Sequence, residues 1–147
     1  MGKVIVPVRM WNFSDEQAVL AGRKSLVRIR ALIDTGATTN VLSDKLAARL
    51  GLVPSGMVRM VLADGRSVPR PNAFGLRVAA LGRSAILRAI IDPSRKIPLL
   101  GQIFLEDTCL LVDCKHQRLI RDPAYGGEEA YEVFRVVESP GQVQSRP

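Results

Sequence analysis

The start of the chain alternates apolar and polar residues, a pattern typical of β-strands with one buried face. Lys3–Trp11 reads KVIVPVRMW and predicts a strand. Pro7 favours an edge position for it, because proline has no backbone N–H to donate to a neighbouring strand. Ser25–Ile33 reads SLVRIRALI, alternating at first and then wholly apolar. We therefore expect a second strand that enters the sheet from its edge and ends in the core.

Two short helices are predicted around this second strand. Residues 14–17 (SDEQ) fit a capping box, which predicts a short helix that ends at Gly22. Further along, Ser43 is a favourable helix cap and Gly51 a favourable C-terminal stop. A second helix is therefore expected between Ser43 and Gly51.

The rest of the chain consists of short apolar segments joined by turns. Asp64-Gly65 is a hairpin signal between the segment 57–63 and the chain that returns from Arg66. Further strands are predicted at Phe74–Leu81, Ala85–Ile91, Leu110–Asp113 and Glu129–Val137, and one helical turn at Ile103–Glu106. Many short strands with two short helices predict a mostly-β domain, either barrel-like or a folded sandwich.

A length of 147 residues is close to that of one domain and too short for two full ones. We place the domain at 1–122. Residues 123–147 form an extension that contributes at most one strand and ends in a disordered tail.

Cellular location and cofactor use are constrained by what the sequence lacks. No apolar run approaches the roughly 18–20 residues that span a bilayer, and the first residues lack the pattern of a secretory signal. Cys109 and Cys114 are too few for a disulfide framework and are expected to be buried thiols. His116 completes no tetrahedral metal site and is expected in a solvated turn. We predict a cytoplasmic domain with no metal or organic cofactor and no membrane partner.

The formal charge of +7 is unevenly distributed. Residues 1–101 hold 16 Lys and Arg against 6 Asp and Glu, a net +10, whereas residues 102–147 hold 5 against 8, a net −3. Such an excess of bases raises the hypothesis of a nucleic-acid partner. The arginines are scattered among apolar residues, however, and only a few aromatic residues are available for base stacking. A solvated basic surface explains the charge better.

The segment 31–38 (ALIDTGAT) carries the candidate chemistry. Asp34 directly follows an apolar strand, where a carboxylate costs free energy unless it is hydrogen-bonded or used. The Thr35 hydroxyl and the Gly36 backbone N–H can supply such hydrogen bonds. Alone, D-T-G is a weak signal, and a turn-forming Asp34 explains it as well as a catalytic one.

A second segment strengthens the catalytic interpretation. Leu99-Leu100-Gly101 is an apolar pair ending in glycine, just before the predicted helical turn, and the hairpin at 61–66 lies between it and Asp34. In this order the motifs resemble those of the retropepsin-like aspartic proteases, the single-domain relatives of the retroviral proteases. The resemblance covers roughly residues 24–114 and is closest to the stand-alone bacterial members.

The resemblance implies a mostly-β fold, a closed β-barrel or folded sheet with a flap hairpin and one or two short helices, and it implies a homodimer. The resemblance also implies a role for each matching residue. Asp34 is the catalytic acid, and the active-site loop continues through Thr35, Gly36 and Ala37. The flap over the substrate contains Ala63, Asp64 and Gly65, and the segment that packs beside the loop is Leu99, Leu100 and Gly101. Each Thr35 would hydrogen-bond across to the other chain.

The number of carboxylates points to the same assembly. Aspartic proteolysis uses two carboxylates that share one proton and bind one water, and this chain contains a single D-T-G. A working site therefore needs two copies whose Asp34 side chains meet on a twofold axis. We predict an aspartic endopeptidase that acts on peptides or proteins as a homodimer.

Departures from the family pattern leave two alternatives open. Gln102 stands where many relatives carry Arg or Asp, and residues 12–22 and the tail after 123 have no retroviral counterpart. The chain could instead be a retropepsin-like module that dimerises and binds peptide with little or no cleavage. A basic nucleic-acid-binding barrel ranks last, and it predicts strongly salt-dependent binding to oligonucleotides.

Overall fold

The computed structural model describes residues 2–133. Within them the predicted mostly-β fold is confirmed. The strands are β1 (Lys3–Asn12), β2 (Val27–Asp34), β3 (Asn40–Leu42), β4 (Pro54–Val61), β5 (Ser67–Ala80), β6 (Arg83–Ile91), β7 (Leu99–Leu100), β8 (Leu110–Asp113) and β9 (Arg118–Arg121). The helices are α1 (Glu16–Leu20), α2 (Asp44–Arg49) and α3 (Gln102–Thr108), with 3-10 turns at Phe13–Asp15 and Ala124–Gly127.

Seven strands form one sheet in the order β1-β2-β7-β3-β6-β5-β4. β1 also pairs with β5, so β1, β2, β7, β3, β6 and β5 form a closed ring of paired strands. The short β7 lies between β2, to which it is parallel, and β3, to which it is antiparallel. β8 and β9 form a separate antiparallel hairpin. The core is filled by alternate residues of these strands and by α3, and its largest fully buried side chains include Phe104, Leu76 and Leu100.

β1 occupies the position that its proline predicts. It pairs with β2 from Lys3 to Met10, but with β5 only from Arg9 onward. Among residues 2–133, Pro7 therefore lies where β1 has a paired strand on one side only, so the expected edge position is confirmed.

The two predicted helices differ in how they begin. α2 follows the prediction, because the Ser43 hydroxyl accepts a 3.1 Å hydrogen bond from Leu46 N and the chain leaves the helix through Gly51 at φ 68°. The capping box at 14–17 is wrong. Asn12 caps the turn instead, because its Oδ1 accepts from Ser14 N at 2.9 Å and the chain passes directly from β1 into the 3-10 turn.

The segments predicted as two strands, one returning from the flap and one at Phe74–Leu81, are a single strand, β5. It carries a register shift between Ala73 and Leu76, where Gly75 adopts a φ of 89°. A glycine tolerates this left-handed conformation without the steric cost of a Cβ. The strand therefore bends and continues where the sequence suggested a break.

The C-terminal third departs most from the prediction. α3 extends to Thr108, beyond the single turn expected, and the four-residue β9 was not predicted because RLIR is too short to show a period. The expected strand at Glu129–Val137 is wrong for 129–133, which form no strand, and its remaining residues lie outside the described ones.

The two cysteines are not both buried, contrary to expectation. Cys114 is exposed in the turn after β8, and Cys109 is half-buried at the end of α3; both are free thiols. His116 is exposed in the β8–β9 turn as predicted, with its Nδ1 2.8 Å from Asp113 Oδ2. No helix among the described residues is long and apolar enough to cross a membrane.

Candidate functional site

Asp34 is the last residue of β2. It follows the fully buried Ile33, yet its own side chain keeps 14% of its surface exposed. Its Oδ1 accepts a 2.8 Å hydrogen bond from Gly36 N, and its backbone carbonyl accepts from Ala37 N at 3.1 Å. The carboxylate thus stabilises its own turn with one oxygen and leaves the second oxygen, Oδ2, for other partners.

Lys3 is a neighbour of Asp34 that the sequence reasoning missed. The β1–β2 register places Lys3 directly opposite Asp34, and Lys3 Nζ lies 3.9 Å from Asp34 Oδ2. Because the lysine side chain is 61% exposed, the ion pair contributes little to stability. Strand register, which sequence alone did not give, was the missing signal.

Thr35 is bonded to the start of the same chain. Its hydroxyl accepts from Gly2 N at 2.8 Å, and its backbone N–H donates to Gly2 O at 2.9 Å. The hydrogen bond across to a second chain, which the family resemblance implies, stays a prediction. The intrachain contacts already fix the second residue of the D-T-G turn.

The turn after Asp34 is hydrogen-bonded to the start of α3. Gln102 N donates to Ala37 O at 2.7 Å, and Ile103 N donates to Thr38 O at 3.3 Å. The first backbone N–H groups of a helix have no partner inside the helix, so these bonds satisfy donors that would otherwise be unpaired. The structure thus brings the Leu99-Leu100-Gly101 segment against the Asp34 loop, as its motif indicates.

Gly101 is the point of closest packing between the two segments. A Cβ at this position would lie 2.5 Å from Thr39 O, 2.6 Å from Ala37 O and 2.9 Å from Thr39 N. All three atoms belong to the backbone and cannot rotate away. Only glycine therefore fits between β7 and the loop.

Asn40, the residue that follows the loop, was also missed. It is buried, its Nδ2 donates to Arg88 O at 2.9 Å, and its Oδ1 accepts from Gly101 N at 3.2 Å. A buried amide with both ends bonded fixes the distance between the elements that it joins. Asn40 thereby ties the end of the loop to β6 and to Gly101.

The flap hairpin joins β4 and β5. Ala63, Asp64 and Gly65 are all exposed at its tip, and Gly65 turns the chain at φ 87°. Asp64 accepts from the Arg66 backbone N–H at 3.0 Å and from its guanidinium at 2.6 Å, and these contacts lower the pKa of Asp64. The predicted hairpin turn is confirmed.

Asp92 links β5, which carries one side of the flap hairpin, to β3, which follows the Asp34 loop. It follows β6 and is buried, its N–H donates to Leu42 O at 2.8 Å, and its Oδ1 accepts from Arg70 Nε of β5 at 3.2 Å. Burial raises the pKa of Asp92, but hydrogen bonds from Ser94 and Arg70 outweigh it and hold that pKa below its usual value. Sequence reasoning did not single out this residue.

Among residues 2–133, no three or more His, Cys, Asp or Glu side chains lie close enough together to hold a metal ion.

Comparison with known proteins agrees with this geometry. A solved structure of the EIAV protease, in complex with the inhibitor HBY-793, is similar with a TM-score of 0.50, over 72% of this chain and 88% of that chain. The sequences are 19% identical, so the likeness concerns the fold. No curated protein sequence matches. A family model described as aspartyl protease matches residues 17–102, which is more than half of the chain and contains both Asp34 and Gly101. The chain therefore belongs to the aspartyl protease family and has a retropepsin-like fold.

Proposed function

We propose that the protein is an aspartic endopeptidase whose active site forms between two copies of the chain. The observation that carries this proposal is the single D-T-G turn, fixed by backbone hydrogen bonds from α3, with Asp34 at the partly exposed end of a buried strand. One carboxylate per chain supports a site shared across a twofold axis, since the chemistry uses two.

The two Asp34 carboxylates divide the catalytic work. Two like charges a few ångströms apart repel each other strongly, so the two carboxylates share one proton. The ionised carboxylate accepts a proton from a water bound between them, and the protonated one polarises the scissile carbonyl. The hydrogen bond from Gly36 N to Asp34 Oδ1 supports a fixed orientation for this carboxylate.

The neighbouring residues position the acid and the substrate. The active-site loop is formed by Thr35, Gly36 and Ala37. It packs against Leu99, Leu100 and Gly101. The exposed flap residues Ala63, Asp64 and Gly65 close over an extended peptide, exclude water and bind it through strand-like backbone pairing.

This assignment places the protease domain at 1–122 and an extension at 123–147. The ring of strand pairs from β1 through β2, β7, β3, β6 and β5 back to β1 supports a closed barrel. The reaction needs only carboxylates and water, so no cofactor enters it. Both cysteines are free thiols, which supports a reducing compartment such as the cytoplasm.

The deciding experiment compares wild type with Asp34→Asn on a diverse peptide library, with the cuts located by mass spectrometry. We expect cleavage to fall by about 10³-fold or more, because the amide cannot act as the base. Asp44→Asn, at an exposed helix start, is the matched control and should cleave like wild type. Cuts that persist in the Asp34→Asn variant would assign the activity to another group. A folded, dimeric wild type that makes no cuts would favour the peptide-binding module.

A further inference from the structure

The outer face of the paired strands β1 and β2 brings together arginines that are scattered in the sequence. The antiparallel register places Arg9 directly opposite Arg28, and Arg30 lies two residues further along the same face of β2. All three side chains are exposed. We call Arg9, Arg28 and Arg30 the basic strip. Because β2 ends at Asp34, the strip lies on the same strand face as the proposed catalytic acid.

The arginines of the basic strip have no acidic partner in the described part of the chain. Among residues 2–133, Arg9 and Arg28 make no side-chain hydrogen bond or ion pair. Arg30 bonds only to a backbone carbonyl, since its Nη2 donates to Ile5 O at 3.3 Å. The positive charge of the strip is therefore not neutralised there.

Two carboxylates lie near the ends of the basic strip, and each already has a basic partner. Glu16 borders the same small pocket as Arg9, but it accepts hydrogen bonds from Arg77 at 2.6 and 2.9 Å. At the other end of β2, Asp34 Oδ2 lies 3.9 Å from Lys3 Nζ. Neither carboxylate compensates the three arginines.

The register makes this arrangement unfavourable for the sheet by itself. Like charges directly opposite each other on neighbouring antiparallel strands are destabilising, and Arg9 and Arg28 form such a pair. Arg30 adds a third positive charge diagonally across from Arg9. A negatively charged ligand on this face would turn the repulsion into attraction.

Apolar side chains lie between the basic strip and Asp34. Ile5 is directly opposite Leu32 in the register, with Ile5 exposed and Leu32 half-buried. The outer-face positions from Lys3 to Arg9 and from Arg28 to Asp34 include no aromatic residue on which a nucleic-acid base could stack. A face with both apolar and basic positions suits a peptide that carries carboxylates better than it suits a nucleic acid.

Strand geometry sets which residues of a bound peptide the basic strip can reach. Antiparallel strands rise by about 3.4 Å per residue, so Arg30 lies about 14 Å and Arg28 about 20 Å along β2 from Asp34. An extended peptide rises by a similar amount. A peptide cut at Asp34 that runs along this face therefore places residues about four to six positions from the cut beside the strip.

We infer that the basic strip binds acidic side chains of the substrate, about four to six residues from the bond that is cut. This inference rests on the proposed protease function and names its substrate class as acidic segments of proteins. In the proposed dimer each copy carries one strip, so the preference applies on either side of the cut.

Reversing the charge of the basic strip tests this inference. From one sequence that the wild type cleaves, two peptides are made, with glutamates or with lysines about five positions from the cut. We expect wild type to cleave the glutamate peptide with about tenfold higher kcat/KM at low salt, mainly through a lower KM, and with a smaller advantage at high salt. Arg28→Glu with Arg30→Glu should reverse the preference.

The matched control is Lys45→Glu with Arg88→Glu, which changes the net charge equally at exposed positions outside the strip. It should keep the wild-type preference for the glutamate peptide. Thermal unfolding checks that each variant is folded. If the double variant of the strip does not fold, Arg30→Glu alone should shift the preference towards the lysine peptide.

Arg28→Glu alone separates substrate recognition from a structural role. The substitution replaces a like-charge pair across β1 and β2 with an opposite-charge pair, so the melting temperature should not fall while the preference for the glutamate peptide weakens. A clearly lower melting temperature would show that Arg28 is needed for the fold, and it would overturn the inference.

Different outcomes separate this inference from the proposed function. Cleavage that depends on Asp34 but shows no glutamate preference, or a preference unchanged by reversing the strip, would overturn the inference and leave the protease intact. A folded wild type that makes no Asp34-dependent cuts would overturn the proposed function and the inference together. Salt-dependent binding of a single-stranded oligonucleotide that the reversed strip loses would make the strip a nucleic-acid surface instead.

Discussion

The loop that carries Asp34 and the tip of the flap hairpin are both turns at the end of strands, but they are constrained to very different degrees. The loop is bonded to Gly2 and to the start of α3, and Asn40, which follows the loop, is bonded to Gly101 and to Arg88. The flap tip makes its hydrogen bonds within its own hairpin, between Leu62 and Arg66 and within Asp64-Gly65-Arg66. A Cβ on Gly65 would meet nothing within 4 Å.

This difference fits the roles that we propose for the two segments. A carboxylate that activates water works best when its position is fixed before the substrate arrives. A segment proposed to close over a peptide must open again, and such segments come from the weakly held parts of a structure. The same sheet carries both a firmly held acid and a hairpin tip bonded only within itself.

A pair of glycine substitutions should show the largest contrast between the two regions. Gly101→Ala places a methyl group against three backbone atoms of the Asp34 loop, so we expect a loss of about 2–3 kcal/mol of unfolding free energy. Gly65→Ala meets open space and costs only the strain of a positive φ, about 1 kcal/mol. Urea denaturation of both variants against wild type measures the two losses.

Equal losses of unfolding free energy in the two variants would show that the two regions are constrained to the same degree. Loss of cleavage in Gly101→Ala under conditions where the variant is fully folded would instead show that the loop had moved without unfolding the domain.

The rigid region was the easier one to predict from sequence. Asp34 stands out because an acid at the end of an apolar strand needs an explanation, and Gly101 because an apolar pair ends in glycine just before a helix. Their supports did not stand out, because Asn40 and Lys3 reach the site through strand register and not through any local pattern. Long-range pairing is decided by the whole sheet, and a single segment does not encode it.

The C-terminal region was predicted least well, for a related reason. Residues 122–133 have no regular period, and Gly127 among them accepts a hydrogen bond from a buried arginine, Arg83, of a distant strand. Hydrophobic periodicity detects a buried face, whereas these residues are held by hydrogen bonds between side chains and backbone carbonyls. The strand expected at Glu129–Val137 failed over 129–133 for that reason.

Asp92 lies between the two regions in the hydrogen-bond network, and we expect its ionisation to change the free energy of unfolding by an intermediate amount. Its folded pKa lies below the usual value of about 3.9, so its stabilising contribution is fully present above about pH 5 and is lost as the pH falls through the folded pKa. We expect Asp92→Asn to lose about 1–3 kcal/mol of stability near pH 7 and progressively less in acid. Thermal unfolding from pH 7 to pH 3 measures this difference.

Asp107→Asn, at an exposed position on α3, controls for the loss of one negative charge. If Asp92→Asn loses the same stability at every pH, the ionised contacts of Asp92 with Arg70 and Ser94 are not what links β5 to β3.

The smallest effect on stability is expected at the flap tip itself. Asp64→Ala removes the acceptor of the Arg66 N–H and guanidinium hydrogen bonds, and because this turn is exposed we expect an unchanged melting temperature. Without that local restraint the tip samples more conformations, so the ordering cost of closing over a peptide rises. KM for a cleaved peptide should therefore rise severalfold with little change in kcat, whereas Ser67→Ala, exposed at the start of β5, should leave both unchanged. A lowered melting temperature in Asp64→Ala would mean that the flap tip takes part in holding the fold, and the two regions would then differ in degree only.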